Sequence, residues 1–273
     1  VKRTLKAAAA RAGLLVPARA VYNTLCRATA SNLLEELRTR LAGSPDGLPI
    51  PGPRLIHLVI GTPWRGEYLR SGAIVAAAMR RHCAAAGVRP EEFRNVLDFG
   101  CGCGRLIRHV RGFTPARMHG SDYNPMLVDW CASRFPWGSF ALNGLHPPLG
   151  YAAGAMDFIY ARSVFTHLDA PLQTGWMREL HRILAPGGVL YFTTHGDATL
   201  GRLGEAESGR YGRGELVVVR SQEEGTNLCA AFHPPAYVRS VLQEGFDLLL
   251  HAPGTGGEHD LQDVWVFRKS RGS

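Results

Sequence analysis

The sequence predicts an α/β protein, a mostly parallel sheet flanked by helices and preceded by a helical N-terminal region. From Arg94 onward, short apolar runs alternate with segments of helical periodicity. The first run ends in the glycine-rich stretch Gly100-Cys101-Gly102-Cys103-Gly104, a strand feeding a tight turn. Further on, Ala185-Pro186-Gly187-Gly188 stops a helix and delivers the chain into another apolar strand. With 273 residues the chain is long enough for one large domain with an extension.

In chain order, residues 1–45 read as helical, Ala- and Leu-rich with Pro17 and Asn23 as interruptions, and with an amphipathic piece at 31–41 opened by Ser31 as N-cap. A Pro- and Gly-rich loop follows at 43–53, then a helix at 70–86. Strands are expected at 95–99, 117–121, 139–142, 156–161 and 189–194, with helices at 104–111, 125–135 and 172–184 between them. Residues 197–232 break the alternation around a short strand-like piece at 216–219, and a connection this long in a compact domain predicts a lid. A helix at 235–243 and strands at 246–251 and 262–267 complete the chain. The expected division is a helical region over 1–90 and a ligand-binding domain over 91–273.

Composition narrows the setting. No stretch approaches the ~18 uncharged apolar residues of a membrane span. Lys6 and Arg11 interrupt the apolar part of residues 1–20 and argue against an export leader. Cys26, Cys83, Cys101, Cys103, Cys131 and Cys229 lack a disulfide-framework spacing, which predicts buried thiols in a reducing, cytoplasmic compartment. The net charge of +8 permits attraction to anions, but no block of five or six like charges occurs, so nucleic acid is not the expected partner. The basic N-terminal segment is expected to pack on its own domain or on a second subunit, with peripheral contact to a membrane surface as the alternative.

The glycine turn implies a nucleotide-like ligand at the carboxyl end of its strand, where a Cβ would block close approach to the backbone. A dinucleotide fingerprint counted from Gly100 needs glycine at 105, where Arg105 stands; counted from Gly102 it needs glycine at 107, where Ile107 stands. A carboxylate at Asp98 repels a pyrophosphate but suits the ammonium and sulfonium of S-adenosylmethionine. Asp122, about 20 residues past the glycines, is placed to accept ribose hydroxyls, its alternative role being a helix N-cap.

These pieces occur in the order Asp98-Phe99-Gly100-Cys101-Gly102-Cys103-Gly104, Ser121-Asp122-Tyr123, Asp157 to Ala161 with Ser163 to Leu168, and Leu184 to Leu190. In that order the chain resembles the class I S-adenosylmethionine-dependent methyltransferases over residues 94–195. The resemblance implies a Rossmann-like fold with a seven-stranded, mostly parallel sheet whose last strand is antiparallel. It further implies S-adenosylmethionine as cofactor. Asp98, Gly100, Cys101 and Gly102 would border its methionine part and Asp122 its ribose; Asn143 would contact the adenine amino group, Tyr123 and Leu142 would sandwich the ring, and Ala161 would line the site. The tail, with Phe232-His233-Pro234 and Leu261 to Lys269, resembles a bacterial subgroup encoded with glycan-assembly enzymes.

Methyl transfer needs an aligned acceptor and, for a hydroxyl, a base. His167, His195 and His233 all fall near the carboxyl edge of the sheet and are the candidates in that order, each with a bland alternative as a bracing or buried histidine. No carboxylate cluster predicts a metal, and Cys101 and Cys103 lack the second ligand pair of a zinc site. Ala161-Arg162-Ser163-Val164 stands where nucleobase and protein-amide N-methyltransferases carry an Asn/Asp-Pro-Pro-aromatic motif. The expected acceptor is a small molecule, methylated on an oxygen of a sugar, a lipid-linked glycan or a secondary metabolite. Small-molecule N-methylation, RNA methylation and a non-catalytic cofactor-binding partner of a glycan-assembly enzyme are the alternatives, with a nicotinamide oxidoreductase more distant.

Overall fold

The computed structural model describes residues 30–219, 229–257 and 261–270. The expectations for residues 1–29, for the side chain of Ser31, for Cys26 and for the part of the lid at 220–228 lie outside the described residues.

Strands β1 (Asn95–Phe99), β2 (Arg117–Asp122), β3 (Gly138–Leu142), β4 (Met156–Ala161), β5 (Leu184–Thr194), β8 (Phe246–Ala252) and β9 (Asp263–Lys269) form one sheet of order β3-β2-β1-β4-β5-β9-β8. The pairs β1–β2, β1–β4, β2–β3 and β4–β5 are parallel, while β9 runs antiparallel to both β5 and β8. This is the seven-stranded, Rossmann-like methyltransferase arrangement expected, with its antiparallel last strand. The order reverses between β1 and β4, and such a switch point opens a crevice beyond the strand carboxyl ends.

Both faces of the sheet are covered, because its central strands are apolar on both sides. One face packs Leu97, Ile159, Leu190 and Trp265 against Trp176 and Leu180 of the helix Ala170–Ile183. The other packs Val96, Phe158 and Val266 against Val75, Met79 and Cys83 of the helix Arg65–Ala85. Fully burying each of these large side chains is worth about 1.5–3 kcal/mol. Asn124 accepts from Met126 N at 3.1 Å and Asp169 from Leu172 N at 3.0 Å, so each of the helices Pro125–Arg134 and Ala170–Ile183 begins at a capped turn beside the sheet's carboxyl edge.

Several expectations need correction. The helix expected over 104–111 is only Ile107–Val110, because Gly104 at φ +81° keeps the preceding residues in a turn. A helix at Pro53–Ile60 stands just after the loop, and the following helix begins at Arg65 rather than 70. Ala185 to Gly188 does not precede β5 but is carried within it as a bulge: Leu184 already pairs with Met156, and the register resumes at Val189 with Phe158. The inserted segment is built rather than featureless: it holds the helix Glu205–Gly212 and the antiparallel strands β6 (Val217–Val219) and β7 (Ala230–Phe232), with a small core of Tyr211, Val217 and Phe232. An isolated bridge from His195 to Phe232 hangs it from the end of β5.

Candidate active site

The glycine turn sits on the carboxyl edge at the switch point. Gly100 N and Cys101 N both donate to Ser121 O, at 2.8 and 2.9 Å, which ties the turn to β2. Gly102 adopts φ +55°, and a Cβ there would stand 2.9 Å from Val59 Cγ2 of the helix Pro53–Ile60. The Cys101 and Cys131 thiols turn inward onto Gly102 O at 3.6 and 3.4 Å, so Cys101 presents its backbone to the crevice. Cys83, Cys101, Cys103, Cys131 and Cys229 are all free and buried.

Asp122 ends β2 with both oxygens engaged: Oδ2 accepts Gly102 N at 2.9 Å and Oδ1 accepts Asn124 N at 2.9 Å. Its burial pushes the carboxyl pKa up, opposed by backbone donors at Asn124, Gly102 and Tyr123. Each oxygen keeps a second lone pair for a ligand hydroxyl. Asp98 is buried at the end of β1, and its Oδ2 has no hydrogen-bond partner. Burial drives its carboxyl up to about 8, against the pull of the Tyr160 hydroxyl and the Arg105 guanidinium. The charge argument for Asp98 therefore changes. In the ligand-free chain the group is mainly protonated at neutral pH, and an approaching cation is what favours its ionised form.

The nucleoside side of the crevice is prepared. Asn143 N donates to Asp122 O at 3.0 Å, and Asn143 Nδ2 donates to Gly144 O at 2.7 Å, which fixes the amide orientation. Asn143 Oδ1 is left buried without a partner, an acceptor suited to an exocyclic amino group. Around it Tyr123, Met126 and Leu142 stay exposed although apolar, Leu142 to 57%. Ala161 closes β4, fully buried behind the turn. These features fit S-adenosylmethionine: an unsatisfied acceptor at Asn143, exposed apolar side chains beside it, a carboxylate at Asp122 with lone pairs to spare, and a buried acid at Asp98.

The three histidines meet at strand β7 and its flanks: His233 N donates to His195 O at 2.8 Å, His195 Nδ1 reaches Ala231 O at 3.1 Å and His167 Nδ1 reaches Cys229 O at 2.7 Å. His167 lies in the single turn Phe165–His167 after β4, and its Nδ1 is 2.7 Å from Cys229 O. A carbonyl only accepts, so Nδ1 carries the proton and Nε2 the lone pair. Burial lowers its pKa below 6.5, as does the charge of Arg202. His195 differs. Its Nδ1 donates to Ala231 O at 3.1 Å and its Nε2 accepts from Arg202 Nη1 at 3.2 Å, so its lone pair is already used. Burial, then the Arg202 charge, take its pKa down to about 3. His233 is fully buried, neither ring nitrogen makes a hydrogen bond of good geometry among the described residues, and burial lowers its pKa to about 3, against the pull of the Ala231 backbone.

Sequence reading missed a polar network beside them. Ser163 N and Arg162 Nη1 donate to Thr193 Oγ1 at 2.9 and 3.2 Å, and Ser163 Oγ and Thr193 Oγ1 donate to Gln262 Oε1 at 3.0 and 2.7 Å. Ser163 holds φ +60°, a left-handed conformation that costs a non-glycine residue about 1 kcal/mol or more and clusters at functional sites. Nearby, His251 Nε2 meets Asp263 Oδ2 at 2.8 Å at the end of β9. A serine following an arginine at a strand end was the only local signal, and it is a weak one. Among the described residues no group of three or more His, Cys, Asp or Glu could hold a metal ion. No described helix is long and apolar enough to cross a membrane.

A family model described as a methyltransferase domain matches residues 71–248. A sterol 24-C-methyltransferase of Debaryomyces hansenii is 30% identical over 132 residues, covering 46% of this chain and 33% of its own length. A malonyl-[acyl-carrier protein] O-methyltransferase of Halorhodospira halophila is 30% identical over 118 residues, covering 40% of this chain and 38% of its own length. The matches thus span only about a third of the length of these curated relatives. Among solved structures, the N-methyltransferase NodS from Bradyrhizobium japonicum in complex with S-adenosyl-L-homocysteine superposes with a TM-score of 0.52 at 19% identity, covering 80% of this chain and 97% of that one. An S-adenosylmethionine-dependent methyltransferase from Mesorhizobium loti gives a TM-score of 0.52 at 13% identity, over 70% of this chain and 97% of that one. At such identities the likeness is one of fold.

Proposed function

The chain belongs to the methyltransferase domain family, whose model spans residues 71–248, and on that premise we propose that it transfers a methyl group from S-adenosylmethionine to an oxygen of a small molecule. A sugar, a lipid-linked glycan or a secondary metabolite is the acceptor class.

The observation that carries the oxygen reading is His167. Its Nδ1–H is held by Cys229 O at 2.7 Å, its lowered pKa keeps the ring neutral at pH 7, and its Nε2 lone pair is left to take a hydroxyl proton. When bound, the cofactor supplies an already activated methyl group. Asn143, Tyr123 and Leu142 hold its adenine, Asp122 its ribose, and Asp98 with the backbone of Gly100, Cys101 and Gly102 its amino-acid end. The described parts of the inserted segment, residues 197–219 and 229–232, lie on the acceptor side, and Cys229 carries the carbonyl that sets the tautomer of His167. His195 and Arg202 brace that cover rather than exchange protons, and the network of Ser163, Thr193 and Gln262 presents hydroxyl and amide groups to a polar acceptor.

Calorimetric titration with S-adenosylmethionine, S-adenosylhomocysteine and NADH tests the cofactor, and Asp122→Ala should weaken binding of the first two. Binding of NADH alone would overturn the reading. With an acceptor found by methyl-transfer screening, full turnover of His167→Gln at retained cofactor affinity would remove the base.

A further inference from the structure

The helix Ala30–Ala42 packs on the body by its charged side. Glu36 is only 6% exposed and accepts Arg65 N at 2.7 Å, Arg65 Nη1 at 2.8 Å and Arg40 Nε at 3.0 Å. Glu35 lies over Gly66, where a Cβ would meet its Cγ at 2.5 Å, and pairs with Arg70 at 3.3 Å. Glu36 thereby caps the helix Arg65–Ala85, whose own N-cap residue Trp64 offers no side-chain bond, and its negative charge suits that helix end.

At about 100° per residue, Leu33, Leu34, Leu37 and Leu41 fall within an arc of roughly 100° opposite those carboxylates, with Arg38 and Arg40 on its two flanks. The four leucines are between 49% and 80% exposed. A helix on a globular protein ordinarily buries its apolar stripe; this one buries Glu36 and exposes its leucines. An apolar stripe edged by arginines is the pattern of a helix lying at a lipid–water boundary, where the arginine heads reach back to the phosphates. The sequence ahead adds Lys2, Arg3, Lys6, Arg11, Arg19 and Arg27, with no Asp or Glu before Glu35. That charge complements an anionic surface.

We propose that the helix Ala30–Ala42 docks on an anionic lipid surface, its leucines entering the headgroup boundary and its basic flanks engaging the headgroups. The proposal rests on how this helix packs and stands independently of the methyl-transfer reading.

Cosedimentation of the full chain with phosphatidylcholine vesicles, with and without phosphatidylglycerol, tests it on the wild type and a Leu37→Glu, Leu41→Glu variant. The wild type should bind the anionic vesicles on the order of tenfold or more tightly than the neutral ones. The variant should lose that binding by a similar factor while melting at an unchanged temperature, since both leucines are already exposed. Wild type that stays in the supernatant, equal binding to neutral vesicles, or a variant that binds like the wild type overturns the proposal. So does a wild-type dimer in analytical ultracentrifugation that the two substitutions dissolve, because a second copy would then cover the leucines.

Discussion

Asp122 Oδ2 accepts the Gly102 N–H at 2.9 Å, so the acid closing β2 and the glycine turn closing β1 are one hydrogen-bonded unit. Removing the carboxylate orphans two amides, Gly102 N and Asn124 N, at about 1–3 kcal/mol for each one that stays buried. Asp122→Ala is expected to lower the melting temperature and to weaken S-adenosylhomocysteine binding by about tenfold or more. Asp122→Asn, which keeps one acceptor oxygen, should fall between. Thermal melting and calorimetry on the same samples check both.

Gly102 couples the turn to the helix Pro53–Ile60. A methyl there meets Val59 Cγ2 at 2.9 Å and forces alanine into φ +55°, so Gly102→Ala should destabilise by about 1–3 kcal/mol. Adding Val59→Ala should relieve the steric part and not the conformational part. Denaturant unfolding of the two variants against Val59→Ala alone measures the difference, and no recovery at all would place the whole cost in the backbone.

On the proposed reading, His167 should set the acid limb of the pH profile. Its folded pKa lies below 6.5, so the neutral base persists through neutral pH and turnover falls only as the pH drops beneath that ordinary value. His167→Gln is expected to cost about 10²–10⁴ in kcat with cofactor affinity unchanged. A pH–rate profile with the variant alongside is the check.

Asp98 makes both stability and binding depend on pH. Its carboxyl is raised from 3.8 to about 8, so between those values the folded chain holds a proton that the unfolded chain releases. The contribution of Asp98 to stability is therefore greatest below about pH 4 and declines as the pH climbs to about 8. Asp98→Asn should flatten that slope in ligand-free protein. Binding of S-adenosylmethionine at pH 7 should expel the proton, visible as a buffer-dependent calorimetric enthalpy that the variant lacks.

His195 and His233 act in the opposite direction. Both pKa values are depressed from 6.5 to about 3, so the unfolded state takes up protons first and stability is lost as the pH falls through that window. Replacing His233 by Phe should reduce the acid-side slope of stability between pH 6.5 and 3. An unchanged slope in urea titrations would falsify its burial as a neutral ring.

Strands β1, β4 and the later part of β5 were legible because each is a largely apolar run between turn residues, and the glycine turn and Asp122 were legible because they stand at strand ends. What escaped was set by distance along the chain. Strand β7, Ala230–Phe232, has no periodicity of its own and exists through its pairing with Val217–Val219. Gln262 reaches Ser163 from 99 residues away, so the polar network of the acceptor side is assembled only on folding. The helix Pro53–Ile60 hid behind a Pro- and Gly-rich loop, and the expected helix at 104–111 shortened to Ile107–Val110 because Gly104 takes a left-handed turn with the Phe135 ring packed where a Cβ would stand. The sequence placed three histidines at one edge; only the hydrogen bonds separate His167, held by Cys229 O through Nδ1 alone, from His195, whose two ring nitrogens are both engaged.

The contact between His167 and Cys229 runs from a ring nitrogen to a backbone carbonyl, and that carbonyl belongs to the inserted segment. Side-chain substitutions in that segment leave the carbonyl in place, whereas an insertion or deletion at Cys229 would move it relative to the ring. Substitutions and length changes there thus have unequal consequences. If His167 serves as the proposed base, the segment can vary more freely in composition than in the placement of that one peptide group.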